Sequence, residues 1–458
     1  MNERENTPST GYGARGESGT QPKAAEAPQA FPALEQKRAL TSRLMEKVCD
    51  RANLNRAYKR VAANKGAAGS DGMTVDELKP WIASRKEELI RSLLDGSYKP
   101  QAVRAVEIPK AGGGMRQLGI PTVVDRLIQQ AILQVLNPII DPTFSESSYG
   151  FRSGRNAHQA LKRAQEHIRE GGRIVVDMDL EKFFDRVNHD ILMSRLARRI
   201  EDKRLLRIIR RFLEAGVMIN GVCMERYEGT PQGGPLSPLL ANVLLDDLDK
   251  ELEKRGHKFC RYADDCNVYV RSLEAGERVM KSITQFLWKK LRLRVNPRKS
   301  AVARNWERKF LGHRFTWDGT LGIAPQSLER AKDRVRMITK RNRGHSLERV
   351  VEDLNEFLRG WVTYYRHAAI KSHLGRMDVW VRRKLRCYRL KQRKKTKPIA
   401  DFLIQLGVPP ERAWPLAKSS KGWWRLSKSI PVHEAMNDAW FGKLGLVNLS
   451  QRWSLLKA

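Results

Sequence analysis

Residues 258–272 read KFCRYADDCNVYVRS, and this stretch decides the fold. Apolar and β-branched side chains stand on both sides of Asp264 and Asp265, a pattern typical of two strands joined by a tight turn. Another strand is predicted over residues 173–179, RIVVDMD, where Asp177 and Asp179 are two positions apart and therefore share one face. Adjacent acids at a turn are often only solvated turn formers, but these acids lie between apolar strands.

Cations are the natural partners of such a group of acids. Burying several carboxylates together is costly unless positive charge neutralises them. Two Mg²⁺ ions about 3.5–4 Å apart, bridged by carboxylates, are the usual machinery of nucleotidyl transfer. The grouping of these acids between apolar strands favours nucleotidyl transfer. The role of Asp185 stays open, since it lies four residues before His189 on a predicted helix and a structural pair is equally compatible with that spacing.

The composition points to a polyanionic partner. The 458 residues include 86 Lys and Arg against 51 Asp and Glu, which gives a formal net charge of +35. Nucleic acid is the first candidate and a membrane surface the second, but no apolar run reaches the roughly 18 residues of a spanning helix. The first residues, MNERENTPST, lack a signal-peptide pattern, so a cytoplasmic protein is expected. Five scattered cysteines without a C-x-x-C pair argue against a disulfide framework and a zinc module.

Local patterns divide the chain into an α+β part and a helical part. Residues 1–35 have the composition of a disordered tail. A strand is predicted over 103–108, followed by a basic hairpin tip at KAGGGMR, and helical spacing over LEKFFDRVNHDILMSRLARRI. Ser237 and Pro238 are predicted as N-cap and first residue of a helix. From about residue 325 helical patterning dominates, and residues 382–397 hold ten Lys or Arg and no acid.

Three segments of the chain resemble, in the same order, motifs of a known protein family. DLEKFFD at 179–185 resembles the first catalytic box of reverse transcriptases, PQGGPLSP at 231–238 their Gln-Gly loop, and YADD at 262–265 their metal-binding box. Residues 108–132 and 144–161 are similar to the fingers boxes of group II intron-encoded proteins. VNPRKS and FLGH resemble their later palm boxes, and GWVTYYR and KGWWRLSKS their maturase region and C-terminal segment.

This resemblance implies an α+β, right-hand polymerase followed by an α-helical thumb. The expected divisions are a disordered tail over 1–35, fingers and palm over 36–324, a thumb or maturase domain over 325–385, and a basic nucleic-acid-binding region over 386–458. No Cys/His nuclease domain of the kind that some members carry is found in the sequence. A primer from elsewhere, such as a nascent strand at a replication fork, is therefore expected.

The resemblance also implies roles for individual residues. Asp179, Asp264 and Asp265 are the expected catalytic metal ligands, joined by the Leu180 carbonyl, for two Mg²⁺ ions. The expected contacts with the incoming nucleotide are Lys110, Arg116, Phe184, Gln232 and Lys299. Among these, Phe184 would exclude a 2′-hydroxyl and Lys299 would protonate pyrophosphate. The expected contacts with nucleic acid are Arg152, Arg155, Arg382, Arg383, Lys384, Arg386, Arg389, Lys391, Arg393, Lys394, Lys395 and Lys397. For Arg152 and Arg155, stabilisation of the fingers is an equally open alternative.

The implied activity is RNA-directed DNA polymerisation, together with binding of the intron RNA to promote splicing and retrohoming. The implied partners are intron RNA, a DNA target and primer, and dNTPs, with no membrane. Two alternatives remain. A splicing-only maturase would be favoured by degenerate catalytic boxes, and here they are intact. A reverse transcriptase of another retroelement, such as a retron, is disfavoured by the long Trp-rich segment after residue 360.

Overall fold

The computed structural model describes residues 41–109, 113–219 and 221–457. The predicted disordered tail over residues 1–35, and Lys110 with it, lie outside this part of the chain. Eleven strands and eighteen α-helices are labelled below in chain order. None of the helices in the described ranges is both long and apolar enough to cross a membrane.

The first part of the chain combines helices with a hairpin. Its elements are α1 (Leu44–Cys49), α2 (Arg51–Ala63), α3 (Leu78–Leu94), β1 (Val103–Pro109), β2 (Met115–Ile120), α4 (Val123–Ile140) and α5 (Ala157–Arg169). β1 and β2 pair antiparallel, which confirms the predicted hairpin on both sides of its tip. α4 begins where the Thr122 side chain accepts a hydrogen bond from the Asp125 backbone N–H, an N-cap that satisfies a free helix donor.

A four-stranded sheet follows and carries the predicted acids. The next elements are β3 (Ile174–Met178), α6 (His189–Ala197), α7 (Lys203–Glu214), β4 (Val217–Ile219), β5 (Val222–Met224), α8 (Ser237–Lys254), β6 (Lys258–Tyr262), β7 (Asp265–Val270), α9 (Leu273–Phe286) and β8 (Ala301–Arg304). The sheet has the order β6-β7-β3-β8, and all of its pairs are antiparallel. The strand–turn–strand prediction for residues 258–272 is confirmed.

The remainder of the chain is a small sheet and a helical region. Its elements are β9 (Lys309–Phe310), β10 (His313–Phe315), β11 (Leu321–Ile323), α10 (Pro325–Ile338), α11 (Leu347–Tyr364), α12 (Lys371–Arg393), α13 (Thr396–Gln405), α14 (Pro410–Lys418), α15 (Trp423–Leu426), α16 (Ile430–Ala435), α17 (Asp438–Lys443) and α18 (Leu449–Lys457). The predicted change to helical structure near residue 325 is confirmed, because α10 begins at Pro325.

Two apolar cores lie on opposite faces of the β6-β7-β3-β8 sheet. Val176 and Val268 point into the first core, which they share with α4 and α8. Val175, Cys260 and Tyr269 point into the second core, which they share with α5 and the helices from α10 onward. Because successive strand residues face opposite sides, β3 and β7 contribute to both cores. The sheet is therefore held rigidly from both sides.

Two local predictions are wrong. Ser237 is the first residue of α8 and not its N-cap, because its hydroxyl donates to the Pro231 carbonyl at 2.8 Å and ties the preceding loop to the helix. Helical spacing after β3 becomes a helix only at His189, since residues 183–185 form a separate 3₁₀ turn. Asp185 is therefore not on the helix that carries His189, and His189 Nε2 lies 2.7 Å from the Gly229 carbonyl oxygen.

Candidate active site

The turn between β6 and β7 presents Asp264 and Asp265. Tyr262 pairs with Asp265, so Ala263 and Asp264 form a two-residue hairpin turn. Ala263 has φ +59°, a left-handed conformation that is unfavourable for a residue with a side chain. Gly150 packs directly against it, since a Cβ at Gly150 would lie 2.2 Å from the Ala263 nitrogen. Residue 150 must therefore be glycine for the turn to fit.

Arg261 holds this turn from below. Its side chain is fully buried, and all five N–H donors are used. Two donate to the Asp249 carboxylate at 2.6 Å each, and one donates to the Ala263 carbonyl at 2.9 Å. The remaining two donate to Asn242 and Ser148. This fully satisfied guanidinium stabilises the left-handed residue that precedes Asp264.

The strand register brings the acids together. Asp177 lies opposite Asn267 and Met178 opposite Cys266, so the next position, Asp179, falls across from Asp265. Burial raises the pKa of Asp264 above its ordinary range, and the charge of Asp179 raises it further. Burial, then the charges of Asp264, Asp179 and Asp177, raise the pKa of Asp265 to about 7. These carboxylates repel one another, and a bound cation would relieve that repulsion.

One carboxylate oxygen of Asp179 lacks a hydrogen-bond partner in the part of the chain that the structure describes. Its Oδ2 is buried and accepts no hydrogen bond within the described residues, although the Lys299 ammonium lies 3.3 Å away. In these same residue ranges, no three acidic, His or Cys side chains stand close enough to hold one metal ion as they are placed. The Lys299 ammonium takes the place of a cation here, so binding a divalent ion requires side-chain rotation. The unsatisfied oxygen and the mutual repulsion fit a metal-binding role.

A cavity of about 680 Å³ joins the predicted catalytic and nucleotide-binding residues. Those of them that line it are Arg116, Asp179, Leu180, Phe184, Gln232, Asp264 and Lys299. Asp265 is not among the lining residues. The prediction that these distant segments meet is thus consistent with the structure.

The loop at Gln232 is fastened to β2. The Arg116 guanidinium donates to the Gln232 side-chain oxygen, and the Gly119 N–H donates to the Gln232 carbonyl at 2.9 Å. Gly233 has φ +134°, and a Cβ there would lie 2.7 Å from the Gly119 carbonyl oxygen. Glycine at residue 233 therefore permits the close approach that seats Gln232 beside Arg116.

Phe184 forms the cavity wall next to Asp179. The 3₁₀ turn that carries it is fixed because the Thr230 N–H donates to the Phe184 carbonyl at 2.7 Å. Its ring contacts Phe183 edge to face, with centroids 5.2 Å apart. Both rings are buried in the first core and both residues border the cavity, with Phe184 8% exposed and Phe183 3% exposed.

Two arginines predicted to contact nucleic acid are instead structural. Arg152 is 8% exposed and donates to Asp141 at 3.0 Å and to the carbonyls of Ser145 and Ser148. Arg386 is 4% exposed and donates to the Met436 carbonyl at 2.9 Å. Because their guanidinium groups are enclosed and already hydrogen-bonded, neither presents a free donor to a phosphate. For Arg152 this agrees with the alternative of stabilising the fingers, and for Arg386 it argues against the predicted contact with nucleic acid.

The other predicted basic residues are placed in different ways. Arg155 pairs with Glu146 and stacks over Tyr149, and Arg382 pairs with Asp438 at 2.9 Å. Arg389 and Arg393 both lie over the Phe402 ring. Lys391 is partly buried. The exposed members of this set are Lys394, Lys395 and Lys397.

Two tryptophans that sequence reasoning did not single out organise the remaining cations. Lys384 Nζ lies 5.6 Å from the Trp380 ring centre and 5.2 Å from that of Trp424. Arg383 stacks on Trp424 at 3.8 Å, and Arg336 lies over Trp380 at 5.7 Å. We call these five residues the cation–indole face. Burial, together with the charges of Arg336 and Arg341, lowers the pKa of Lys384.

Comparison with known proteins decides the family. The family model described as reverse transcriptase (RNA-dependent DNA polymerase) matches residues 108–315, and that of the group II intron maturase-specific domain matches residues 328–403. Protein YkfC of Escherichia coli is 32% identical over 303 residues, covering 57% of this chain and 80% of YkfC. Group II intron-encoded protein LtrA of Lactococcus lactis is 40% identical over 206 residues.

The chain belongs to the group II intron-encoded reverse transcriptases and maturases. As a member of this family, it has its acids, Gln232 and Phe184 within the reverse transcriptase domain, and most of the cation–indole face within the maturase-specific match. The alignment with LtrA covers 45% of this chain and 34% of LtrA. Among solved structures, the partial Cas6-RT-Cas1--Cas2 complex matches 53% of this chain and 42% of its own, with 28% identity and a TM-score of 0.36.

Proposed function

We propose that this protein is an RNA-directed DNA polymerase that also binds the RNA of its group II intron and assists its splicing and mobility. One observation carries the polymerase role. Asp179, which follows β3, and Asp264, in the turn between β6 and β7, line one cavity together with Phe184, Arg116 and Gln232. A row of acids facing a basic fingers hairpin suits a triphosphate and a primer terminus.

The residues of the cavity bind and orient the nucleotide. Arg116 presents a guanidinium that suits phosphate oxygens, and it is already hydrogen-bonded to Gln232, which would lie beside the sugar and base. Lys110 is proposed to add a second charge from the same hairpin. The primer 3′-hydroxyl releases its proton to solvent water, and its oxygen bonds to the α-phosphorus as the bond from that phosphorus to the oxygen bridging the α- and β-phosphates breaks. Lys299 would give its proton to the departing pyrophosphate.

Two Mg²⁺ ions complete the proposal. Asp179, Asp264, Asp265 and the Leu180 carbonyl would hold them, and when bound they supply positive charge to the attacking and leaving oxygens. The buried Asp179 Oδ2 and the raised pKa of Asp265 support this assignment.

Primer extension tests the polymerase role. Purified protein is given an RNA template, an annealed DNA primer and dNTPs, with MgCl₂ or with EDTA. We expect extension with MgCl₂ and none with EDTA. If the protein binds the intron RNA tightly but never extends a primer, the splicing-only alternative replaces the polymerase.

Phe184→Val is expected to relax sugar discrimination. The smaller side chain removes the ring that we place below the nucleotide's C2′ and leaves space for a 2′-hydroxyl. A single contact of this kind is worth about 10–200-fold. We expect ribonucleotide incorporation to rise about 100-fold relative to dNTP incorporation, measured as the ratio of kcat/KM values. Phe183→Val serves as the comparison, because Phe183 also borders the cavity but is the more deeply buried of the two rings. An equal change in both variants would contradict a specific role of Phe184.

The cation–indole face is proposed as an RNA-binding surface of the maturase region. No carboxylate is paired with Arg383 or Lys384 among the described ion pairs, and Trp424 is 38% exposed. Cations held against indole rings lose little further freedom when they meet a phosphate, and an exposed ring edge can contact an unpaired base. This surface replaces the buried Arg386 as the centre of the proposed RNA contact.

Replacing both Arg383 and Lys384 by Gln is expected to weaken intron RNA binding. Each lost phosphate contact reduces the salt slope of log K by about 0.7–0.9. The double variant should therefore lose about 1.5 from the slope and about tenfold in affinity at 0.15 M salt, measured by filter binding. Lys289→Gln with Lys290→Gln, two exposed lysines of the palm, is the charge-matched control. Equal losses in both double variants would show a diffuse charge effect and remove this surface from the proposal.

The DNA target, the primer and the dNTPs remain proposed partners. A cytoplasmic location belongs to the same proposal, because intron transcripts and dNTPs are available there.

A further inference from the structure

Asp177 belongs to the same row of acids as the metal-binding residues. It lies two positions before Asp179 on the same face of β3, and its charge contributes to the raised pKa of Asp265. A fourth carboxylate at this point would attract a cation of its own and draw it away from Asp179. The structure shows what prevents this.

Both oxygens of Asp177 are already engaged. Arg308 Nε donates to Oδ2 at 2.8 Å, and an Arg308 terminal nitrogen lies 2.7 Å from the same oxygen. The Asn267 amide, oriented with its nitrogen toward Asp177, donates to Oδ1 at 3.0 Å. At Asp179, by comparison, the Lys299 ammonium donates to Oδ1 at 3.3 Å and is ion-paired with Oδ2 at 3.3 Å, and Oδ2 accepts no hydrogen bond within the described part of the chain.

Arg308 reaches Asp177 from outside the sheet. It immediately precedes β9, and it also donates to the Lys299 carbonyl, so one guanidinium joins β3 to the segment that carries Lys299. Neither Asp177 nor Arg308 is among the residues that line the nucleotide cavity. The pair therefore acts on the site through its neighbours and not by touching substrate.

We propose that Arg308 and Asp177 form a positioning pair that keeps a fourth carboxylate out of the metal-binding set and so confines cations to Asp179, Asp264 and Asp265. This inference rests on the proposed polymerase function. The side chains of Arg308 and Asp177 are 31% and 18% exposed, and an ion pair this close to the surface contributes little to stability. Variants of the pair should therefore fold.

Three variants test the inference: Arg308→Gln, Asp177→Asn, and the two combined. The first measurement is a Mn²⁺ titration of the substrate-free protein by electron paramagnetic resonance, which does not depend on activity. Arg308→Gln exposes the charge of Asp177, and we expect it to bind Mn²⁺ at least about fivefold more tightly or to take up one further ion. The double variant should return to wild-type binding.

The second measurement is the kcat of primer extension at saturating Mg²⁺. We expect Arg308→Gln to lower kcat about tenfold and the double variant to recover to within about threefold of wild type, because a neutral pair restores the charge balance. Arg304→Gln, at an exposed arginine four residues earlier that lies over Trp306, is the control and should change neither quantity. Thermal melting of each variant confirms folding.

The possible outcomes distinguish failure of the positioning role from failure of the polymerase proposal. Unchanged Mn²⁺ binding in Arg308→Gln overturns the positioning role, as does a double variant that is no better than the single one. If no variant and no wild-type protein extends a primer, the polymerase proposal fails instead, and the Mn²⁺ titration still decides whether Arg308 masks Asp177.

Discussion

Asp264→Asn is expected to lower primer extension by about a thousandfold or more while the protein still binds its intron RNA. The amide has the shape of the carboxylate but lacks the charge that would hold a divalent ion. Loss of that electrostatic stabilisation is worth several kcal/mol, and about 4 kcal/mol corresponds to this factor in rate. The measurement is single-nucleotide incorporation at saturating dNTP and MgCl₂.

The same substitution should not destabilise the metal-free protein. Burial and neighbouring charge raise the pKa of Asp264 and bring that of Asp265 to about 7. The folded chain therefore holds protons that the unfolded chain has released, so wild-type stability falls as pH rises from about 4 to about 7. Asp264→Asn removes one of the repelling charges. We expect its melting temperature at pH 8 in EDTA to equal or exceed that of wild type. Between about pH 4 and about pH 7, its melting temperature should change less with pH than that of wild type.

The control for this prediction is Asp190→Asn, an exposed acid on α6 that pairs with Arg210. It should leave both extension and melting unchanged. If Asp264→Asn extends primers at more than about a tenth of the wild-type rate, the assignment of the metal ligands is wrong.

Asp249→Ala is expected to lower the free energy of unfolding by about 3–5 kcal/mol. Asp249 and Arg261 are both fully buried, and their two hydrogen bonds are 2.6 Å long. Removing the carboxylate leaves a guanidinium without its counter-charge inside the protein, which is the costly way to break a buried pair. Urea denaturation followed by circular dichroism measures the effect.

Extension should also fall in Asp249→Ala, because an unpaired Arg261 no longer holds the Ala263 carbonyl. Asp247→Ala, two residues earlier on the same helix, is the matched control. Its partner Arg195 is partly exposed, so less than about 1 kcal/mol is expected. Equal losses in the two variants would show that α8, and not the Arg261 pair, accounts for the effect.

The sequence was informative where local pattern and chemistry coincide. Alternating apolar residues around Asp264 and Asp265 predicted the β6–β7 hairpin, and the two-residue spacing of Asp177 and Asp179 predicted their shared face. The sequence did not reveal which distant residues hold these acids and the turn that carries Asp264. Arg308 meets Asp177 across 131 positions, and Arg261 meets Ser148 across 113. Such contacts depend on sheet order, which no local pattern encodes.

In the basic run over residues 382–397, charge density alone was misleading. Charge density alone predicted that every arginine there contacts nucleic acid. In α12, however, Arg386 lies next to Leu385 and four positions before Leu390, and both leucines are buried. A helix that packs on one side must turn some of its residues inward. The guanidinium of Arg386 is buried because its side-chain hydrogen bonds, including the one to the Met436 carbonyl, compensate it there.

The central sheet sits between two apolar cores, and the second of these is closed by helices that follow Pro325. Most of the residues of that core belong to those helices, so cutting them away would remove most of it and expose the apolar side chains packed against them. A shortened enzyme ending after the reverse transcriptase match would thus expose apolar surface of the second core to solvent and tend to aggregate. Any attempt to engineer a minimal polymerase from this chain should retain the C-terminal helices as a structural lining, even where intron binding is no longer wanted.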